Sequence, residues 1–247
     1  MIRALKRAGV LGLATCGLVA PAFAQTARSA TVEGMTDEER RGLSWSGGRA
    51  ALAGDVRVSL GRLDASARAV TTRGSARHGG ADAVVDLGIG TGWDLGAIRL
   101  RAEAIGHAFA GARGRMDYVE GGLSASYGYG PLYVTLGAIG APSQRAIGGS
   151  NVYVYANANA GIPGTPLTML TEVGHSSGSV RDPSRVQRLR PGGSYTNWRL
   201  GLEHRRNRLT IGVDYLGTDV SRTAIASKFA DRRNAGDRIL GRVQVSF

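Results

Sequence analysis

From Ala51 onward the chain alternates, residue by residue, between apolar side chains and polar or small ones. Ile211, Val213 and Tyr215 interleave with Thr210, Gly212 and Asp214; Ile98, Leu100, Ala102 and Ala104 with Arg99, Arg101 and Glu103; Val85, Leu87 and Ile89 with Asp86, Gly88 and Gly90. Successive side chains of a strand point to opposite faces, so period two gives each segment one greasy face and one face of charge, hydroxyl and glycine. Helical spacing fits none of these runs. Eleven strands are predicted, at 51–60, 62–72, 82–93, 97–109, 117–128, 131–141, 151–161, 166–176, 195–205, 208–218 and 237–247. Most have about the 9–11 residues that a tilted strand needs to cross a bilayer.

The links between these strands alternate in length. Short ones lie near Gly61, Asp94 to Gly96, Tyr129-Gly130, Pro163 to Thr165 and Asn207; longer ones run through 73–81, 110–116, 142–150, 177–194 and 219–236. This asymmetry belongs to outer-membrane barrels, with short periplasmic turns and long outer loops, and a β-sandwich has no reason to keep it. The fold class is therefore all-β, an antiparallel transmembrane β-barrel of about 12 strands. Counting back from a periplasmic C-terminus, the eleven strands need one more upward strand before Ala51, and it is expected between Glu33 and Ser46. The run Asp37-Glu38-Glu39-Arg40-Arg41 is poor transmembrane material. Either this first strand is short and strained, or the segment packs elsewhere and the barrel closes irregularly.

Composition supports a shell around a cavity. Glycine occurs 38 times and aromatics make up only 6%, a small supply of large core side chains for a soluble enzyme of 247 residues. The 43% hydrophobic content excludes a disordered chain, and a single cysteine excludes a disulfide scaffold. Arg3, Lys6 and Arg7, then the apolar run Ala8 to Ala20, then Ala22-Phe23-Ala24 read as a cleaved export signal over 1–24. The mature chain is expected to begin at Gln25, with 25–47 as an N-terminal segment and 48–247 as the barrel. A lipoprotein site at Leu13 to Cys16 fits less well, because Thr15 precedes the cysteine. Processing lowers the net charge of +12 by three, to +9, and removes Cys16, which suits passage through an oxidising periplasm. No other stretch approaches 18 apolar residues, so membrane residence requires a barrel.

The C-terminal strand ends on an aromatic: Ile239, Gly241, Val243, Val245 and Phe247 share the lipid register. A terminal Phe resembles the signal by which the barrel assembly machinery recognises its clients. Trp93, Tyr127, Tyr129, Tyr133 and Phe247 fall near predicted periplasmic turns and are expected to form an interfacial girdle.

The chain resembles the TorF-type family of putative outer-membrane porins from about Arg41 to Phe247. The residues that carry the similarity are Arg41-Gly42-Leu43-Ser44, Gly48-Arg49-Ala50-Ala51-Leu52, Asp117-Tyr118-Val119-Glu120, Val152-Tyr153-Val154-Tyr155-Ala156-Asn157-Ala158, Pro166-Leu167-Thr168, Leu209 to Tyr215 and, most specific, Tyr195-Thr196-Asn197-Trp198-Arg199-Leu200-Gly201. The resemblance implies an exported barrel of a Gram-negative outer membrane with a pore role, and it brings no catalytic residues. The chain departs from the family at the front, where an aromatic-rich first strand is usual.

The polar register assigns Arg57, Asp64, Arg68, Asp86, Arg99, Arg101, Glu103, Glu120, Glu172, Arg199, Glu203, Asp214 and Arg242 to the lumen, together with Arg62, Arg205, Arg238 and Asp55. Charges of the two signs nearly balance there, so the positive excess falls on loops, at Arg73, Arg77, Arg113, Arg115, Arg145, Arg181, Arg185, Arg188, Arg190, Arg222, Lys228, Arg232 and Arg233. Opposite charges either line separate walls around water or pair across a narrow lumen and plug it. Inward glycines at Gly88, Gly90, Gly122, Gly174, Gly201 and Gly212 favour the open interior. The expected function is passive diffusion of small hydrophilic solutes. The rival is a closed structural or adhesive barrel whose arginine-rich loops bind lipopolysaccharide or another anionic surface, although solvated loops reflecting an arginine-rich composition explain them equally.

No cofactor, metal or nucleic-acid partner is expected. Gly88 to Gly92 lies within a strand with no helix after it, so it lacks a phosphate loop's mechanism. His78, His107, His175 and His204 have no ligand spacing. A hydrolytic triad of His107 or His175 with a loop Ser and Asp182 is conceivable, but no sequence feature brings these residues together.

Overall fold

The structure, a computed structural model, describes residues 28–220, 227–231 and 233–247. The proposed leader, Arg222 and Arg232 lie outside the described residues. Twelve antiparallel strands close into one barrel: β1 (Arg28–Met35), β4 (Ala51–Leu60), β5 (Leu63–Ser75), β6 (Ala81–Leu95), β7 (Ile98–Ala110), β8 (Tyr118–Tyr129), β9 (Leu132–Gln144), β10 (Gly149–Gly161), β11 (Leu167–Ser177), β12 (Tyr195–Arg206), β13 (Leu209–Thr218) and β14 (Arg238–Ser246). Each strand pairs with its sequence neighbours, and β1 closes the ring against β14, with Thr31 opposite Ser246 and Met35 opposite Arg242. The eleven strands read from period two all form. Closure satisfies every strand edge within the ring, which an open sheet of this length could not do.

The twelfth strand lies earlier than expected. It occupies 28–35 and shares only Glu33 to Met35 with the 33–46 window. The physical reason is the charge run. Val32 stands outward, 47% exposed, while Thr31 and Glu33 face in, so Arg28–Met35 can carry the period-two pattern that 37–41 cannot. Asp37 to Arg41 instead turn into the barrel. There a second, two-stranded sheet forms from β2 (Glu39–Arg40) and β3 (Leu43–Ser44). Its two-residue turn places Arg41 at φ 54° and Gly42 at φ 77°, the paired left-handed conformation of a tight hairpin. A side chain on Gly42 would run into Thr218 and Asn197, so only glycine lets this hairpin sit against the wall.

The outer face is apolar along its length: Leu52, Val56, Leu60, Leu87, Ile89, Leu123, Leu136, Val173, Leu202, Val213 and Ile239 are all exposed. In a soluble protein so broad a surface would drive aggregation, and around a closed barrel it matches hydrocarbon. The buried apolar core is small and sits at the long-loop end, inside the ring, where Trp45 of the hairpin segment meets Val84, Phe109, Met116, Tyr118, Ile147, Leu189 and Phe229.

Candidate functional site

All but one of the residues assigned to the lumen from the alternation lie on the inward register: Asp55 and Arg57 on β4, Asp64 and Arg68 on β5, Asp86 on β6, Arg99, Arg101 and Glu103 on β7, Glu120 on β8, Glu172 on β11, Arg199, Glu203 and Arg205 on β12, Asp214 on β13 and Arg238 and Arg242 on β14. Arg62 does not: it stands exposed in the two-residue turn between β4 and β5. They form separate clusters. On one wall Arg101 reaches Asp64 at 2.5 Å and Glu103 at 3.1 Å, and Arg99 meets Asp94 at 3.2 Å near the short turns. On another, Arg199 and Arg242 share Asp214 at 2.8 and 2.9 Å, and Arg242 continues to Glu203 at 2.5 Å. Glu172 accepts from the Tyr153 hydroxyl at 2.8 Å. Among the described residues Arg57 makes no ion pair. Nearest-neighbour pairing along the walls neutralises most of the lumen's charge without crossing it.

The inward glycines do not widen a water column, as the alternation had led us to expect. A Cβ on Gly174 would overlap the Tyr153 ring, one on Gly90 the Arg101 guanidinium, one on Gly201 the Asp214 carboxylate, and one on Gly122 the Glu103 side chain. Each glycine is a berth in which a neighbour's large side chain lies flat against the wall.

The hairpin segment 36–50 is the feature that period two could not reveal. It plugs the upper lumen, and its charges are matched to the wall. Arg41 donates both guanidinium arms to Glu120, at 2.6 and 3.0 Å. Arg40 lies 2.7 Å from Asp86 and 3.0 Å from Glu38, with its guanidinium stacked 4.1 Å above Trp45. Arg68 binds Asp55 at 2.8 Å and Glu38 at 3.1 Å. The wall also grips the plug backbone: the Tyr195 hydroxyl donates to the Arg41 carbonyl at 2.9 Å and Arg238 to that of Gly42 at 3.0 Å. Behind these contacts His107 Nδ1 lies 2.7 Å from Asp86 and Nε2 lies 3.3 Å from Glu120, so one ring connects the two carboxylates that hold successive plug arginines. Among the described residues Glu39 makes no ion pair, and it accepts from the Gly42 amide. Burial, and then the nearby Glu172 carboxylate, push its acid up to about 7. The alternating signs of 37–41 were a legible signal of a paired segment, but the identity of its partners was not.

Several loop arginines expected to face solvent are buried instead. Arg188 donates to the carbonyls of Met116 at 2.6 Å and Ala146 at 3.3 Å; Arg77 donates to those of Ser44, Arg188 and Asp231; and Arg190 to those of Gly178, Ser150 and Ser179. Irregular loops leave carbonyls unpaired, and a guanidinium with five donors can satisfy several at once. Burial pulls Arg188 down to about 10, and burial followed by Arg188 itself holds His78 well below the usual histidine range, leaving an imidazole that accepts from Arg188. Arg73, Arg113, Arg115, Arg145 and Arg181 do remain exposed at this end. Asp182 caps a short helix (Pro183–Val186) and His175 lies 3.1 Å from Thr196, so neither joins His107 in a triad.

Of the aromatic girdle, Trp93, Tyr127, Tyr129 and Phe247 stand outward near the short turns and are 43%, 46%, 74% and 67% exposed. Tyr133 does not: it shares the inward register with Thr135, and its ring lies against Gly128, whose missing side chain leaves it that place.

A family model described as a bacterial protein of unknown function, Gcw_chp, matches residues 21–247. The chain belongs to the Gcw_chp family. No curated protein matches it. Among solved structures, one titled KdgM porin superposes with a TM-score of 0.58 at 8% identity, covering 89% of this chain and 99% of that one. A second, titled for in-meso crystallization of membrane proteins, gives 0.50 at 10% identity, with 89% and 83% covered. Pseudomonas aeruginosa OprD gives 0.44 at 13% identity, covering 81% and 60%. At such identities the likeness is one of fold. This Gcw_chp chain has a porin-like outer-membrane β-barrel fold; the family shown is Gcw_chp, not the TorF-type family that the sequence resembles.

Proposed function

We propose that this protein is an outer-membrane porin, exported by its 1–24 leader, through which small hydrophilic solutes diffuse, and that the 36–50 plug closes it at rest. The observation that carries this reading is the contrast between the two halves of the lumen. A cavity of 350 Å³ lies against the plug, between Arg40, Arg41 and Trp45 and the wall residues Arg57, Arg101 and Glu103, and further down are polar cavities of 310 and 520 Å³, lined by side chains such as Asn159, Glu203 and Arg99. Above them the lumen is filled by a single excursion of chain, held to the wall by ion pairs and by the apolar cluster around Trp45. A purely structural barrel has no need of such cavities, whereas transport selectivity is built from the hydrogen-bonding groups and charges that line them. On this reading the lumen residues named above line the pore, Phe247 serves the barrel assembly machinery, and the exposed loop arginines hold lipopolysaccharide phosphates. Purified protein in a planar bilayer tests the reading: discrete channels are expected, with more frequent opening when the plug's anchors are removed. Silence from both the wild type and anchor variants refutes it.

One observation favours the second reading, a closed adhesive barrel. The apolar cluster around Trp45, Phe109, Leu189 and Phe229 seals the long-loop end independently of the ion pairs. That reading predicts no conductance from any plug variant, with measurable binding to lipopolysaccharide.

A further inference from the structure

The charged walls of the lumen are largely consumed by their own pairing, but one strip of the wall carries no charge. Below Glu120 the inward positions of β8, β9 and β10 are Ser124, Ser126, Tyr133, Thr135, Gly137, Tyr155, Asn157 and Asn159. Ser126 and Thr135 bond to each other at 2.9 Å, and Tyr155 stacks on Tyr153 with ring centroids 5.6 Å apart. Among the described residues the side-chain amides of Asn157 and Asn159 make no hydrogen bond within the protein. They stand two residues apart on one strand, so both point the same way into the 310 Å³ cavity, which Glu172 on the neighbouring strand and Arg199, Glu203 and Arg242 beyond it also line. That volume lies within the roughly 300–1,000 Å³ range of small-molecule sites.

The amides and the guanidinium groups of this cavity differ in what they have left to offer a solute. Arg199 and Arg242 are committed to Asp214 and Glu203, and Glu172, which accepts from the Tyr153 hydroxyl, has no ion-pair partner among the described residues, so an anion entering here meets no free positive charge. Each asparagine amide keeps two donors and an acceptor free. Adjacent donor and acceptor on a planar amide match the adjacent hydroxyls of a polyol, and Tyr155, half-buried next to them on the same strand and backed by the buried Tyr153, offers a flat apolar face to a ring's C–H groups. Neither feature answers to a simple ion.

We propose that Asn157, Asn159 and Tyr155 form a binding site for uncharged polyhydroxylated solutes, of the class of short neutral saccharides. The site deepens the pore reading by naming a solute class, and it rests on that reading only for passage, not for binding. Arg57, which makes no ion pair among the described residues, stands on the far wall, on β4, and takes no part in it.

The probe is maltotriose, with gluconate as an anionic comparison. Binding is read by saturation-transfer NMR on the full chain in detergent, and passage by block of ion current in a bilayer. Maltotriose is expected to bind and to interrupt current, with N157A/N159A weakening binding at least tenfold and Arg208→Gln, in the exposed turn after β12, leaving it unchanged. Because neither amide bonds to the protein, the double variant removes no internal contact, and unchanged heat-modifiable migration verifies folding. Loss of the tyrosine face by Y155L is expected to weaken binding severalfold as an independent check. Channels with no saccharide binding, or binding indifferent to both asparagines, overturn the proposal and leave the pore standing. Asparagine-dependent binding without any channel supports the site and refutes the pore.

Discussion

Arg41→Asn isolates the grip between the plug and the wall. The substitution suits its backbone, because asparagine tolerates the left-handed conformation that Arg41 adopts at φ 54° in the hairpin turn. What it removes is a two-armed pair at 2.6 and 3.0 Å to Glu120, a side chain only 3% exposed. Stranding one member of a buried pair costs about 3–5 kcal/mol. The relaxed turn returns roughly 0.5–1 kcal/mol, and His107, 3.3 Å from the same carboxylate, keeps it from being wholly alone. The net loss of seating is about 2–4 kcal/mol, which at about 1.4 kcal/mol per decade is roughly a 30- to 1,000-fold shift toward the displaced plug. Trp45 reports it: in a W93F/W198F background this is the remaining tryptophan, and acrylamide quenching should rise as it leaves Phe109 and His78. Channel opening should rise in parallel. R41N/E120Q, which removes both charges, should recover much of the seating, since the penalty lies in the unpaired carboxylate. Unchanged quenching and conductance in R41N would refute the idea that ion pairs hold the plug.

Glu39 gives the seated plug a pH dependence. Its acid moves from 4.5 to about 7 on seating, so the seated form holds a proton that the displaced form releases. Stability of the seat is therefore full below about 4.5, declines through the window up to 7 by about 3–4 kcal/mol in all, and is level above it; Trp45 quenching should follow that curve, and E39Q should flatten it. Gly174→Val places a side chain where the Tyr153 ring lies and should cost about 1–3 kcal/mol by overpacking, read as a lower unfolding temperature in detergent, with G174V/Y153A recovering part of the loss. Arg188→Met leaves the Met116 and Ala146 carbonyls without their donor, at about 1–3 kcal/mol, and should open the 178–194 loop to protease while the strands stay protected. Protection of that loop equal to the wild type would count against the buried-arginine cap.

The strands, their faces and their number were legible in the chain because period two is a local code. A residue's inward or outward orientation follows from its neighbours two positions away, whatever the rest of the molecule does. Arg101 and Glu103, Asp214 and Arg242 could thus be placed in the lumen from sequence alone. Tyr133 obeys the same code, with Thr135 and Gly137 two and four positions on in the inward register; its expected place in the girdle rests on nearness to the turn, which carries no information about face. The tertiary structure decided everything that depends on who stands opposite whom. Asp37 to Arg41 became a plug since Glu120, Asp86, Arg68 and Arg238, from strands far apart in sequence, converge above them. The glycines became berths, and Arg77, Arg188 and Arg190 became the ties of a cap, because long-range closure brings rings and orphaned carbonyls to positions that no periodicity encodes.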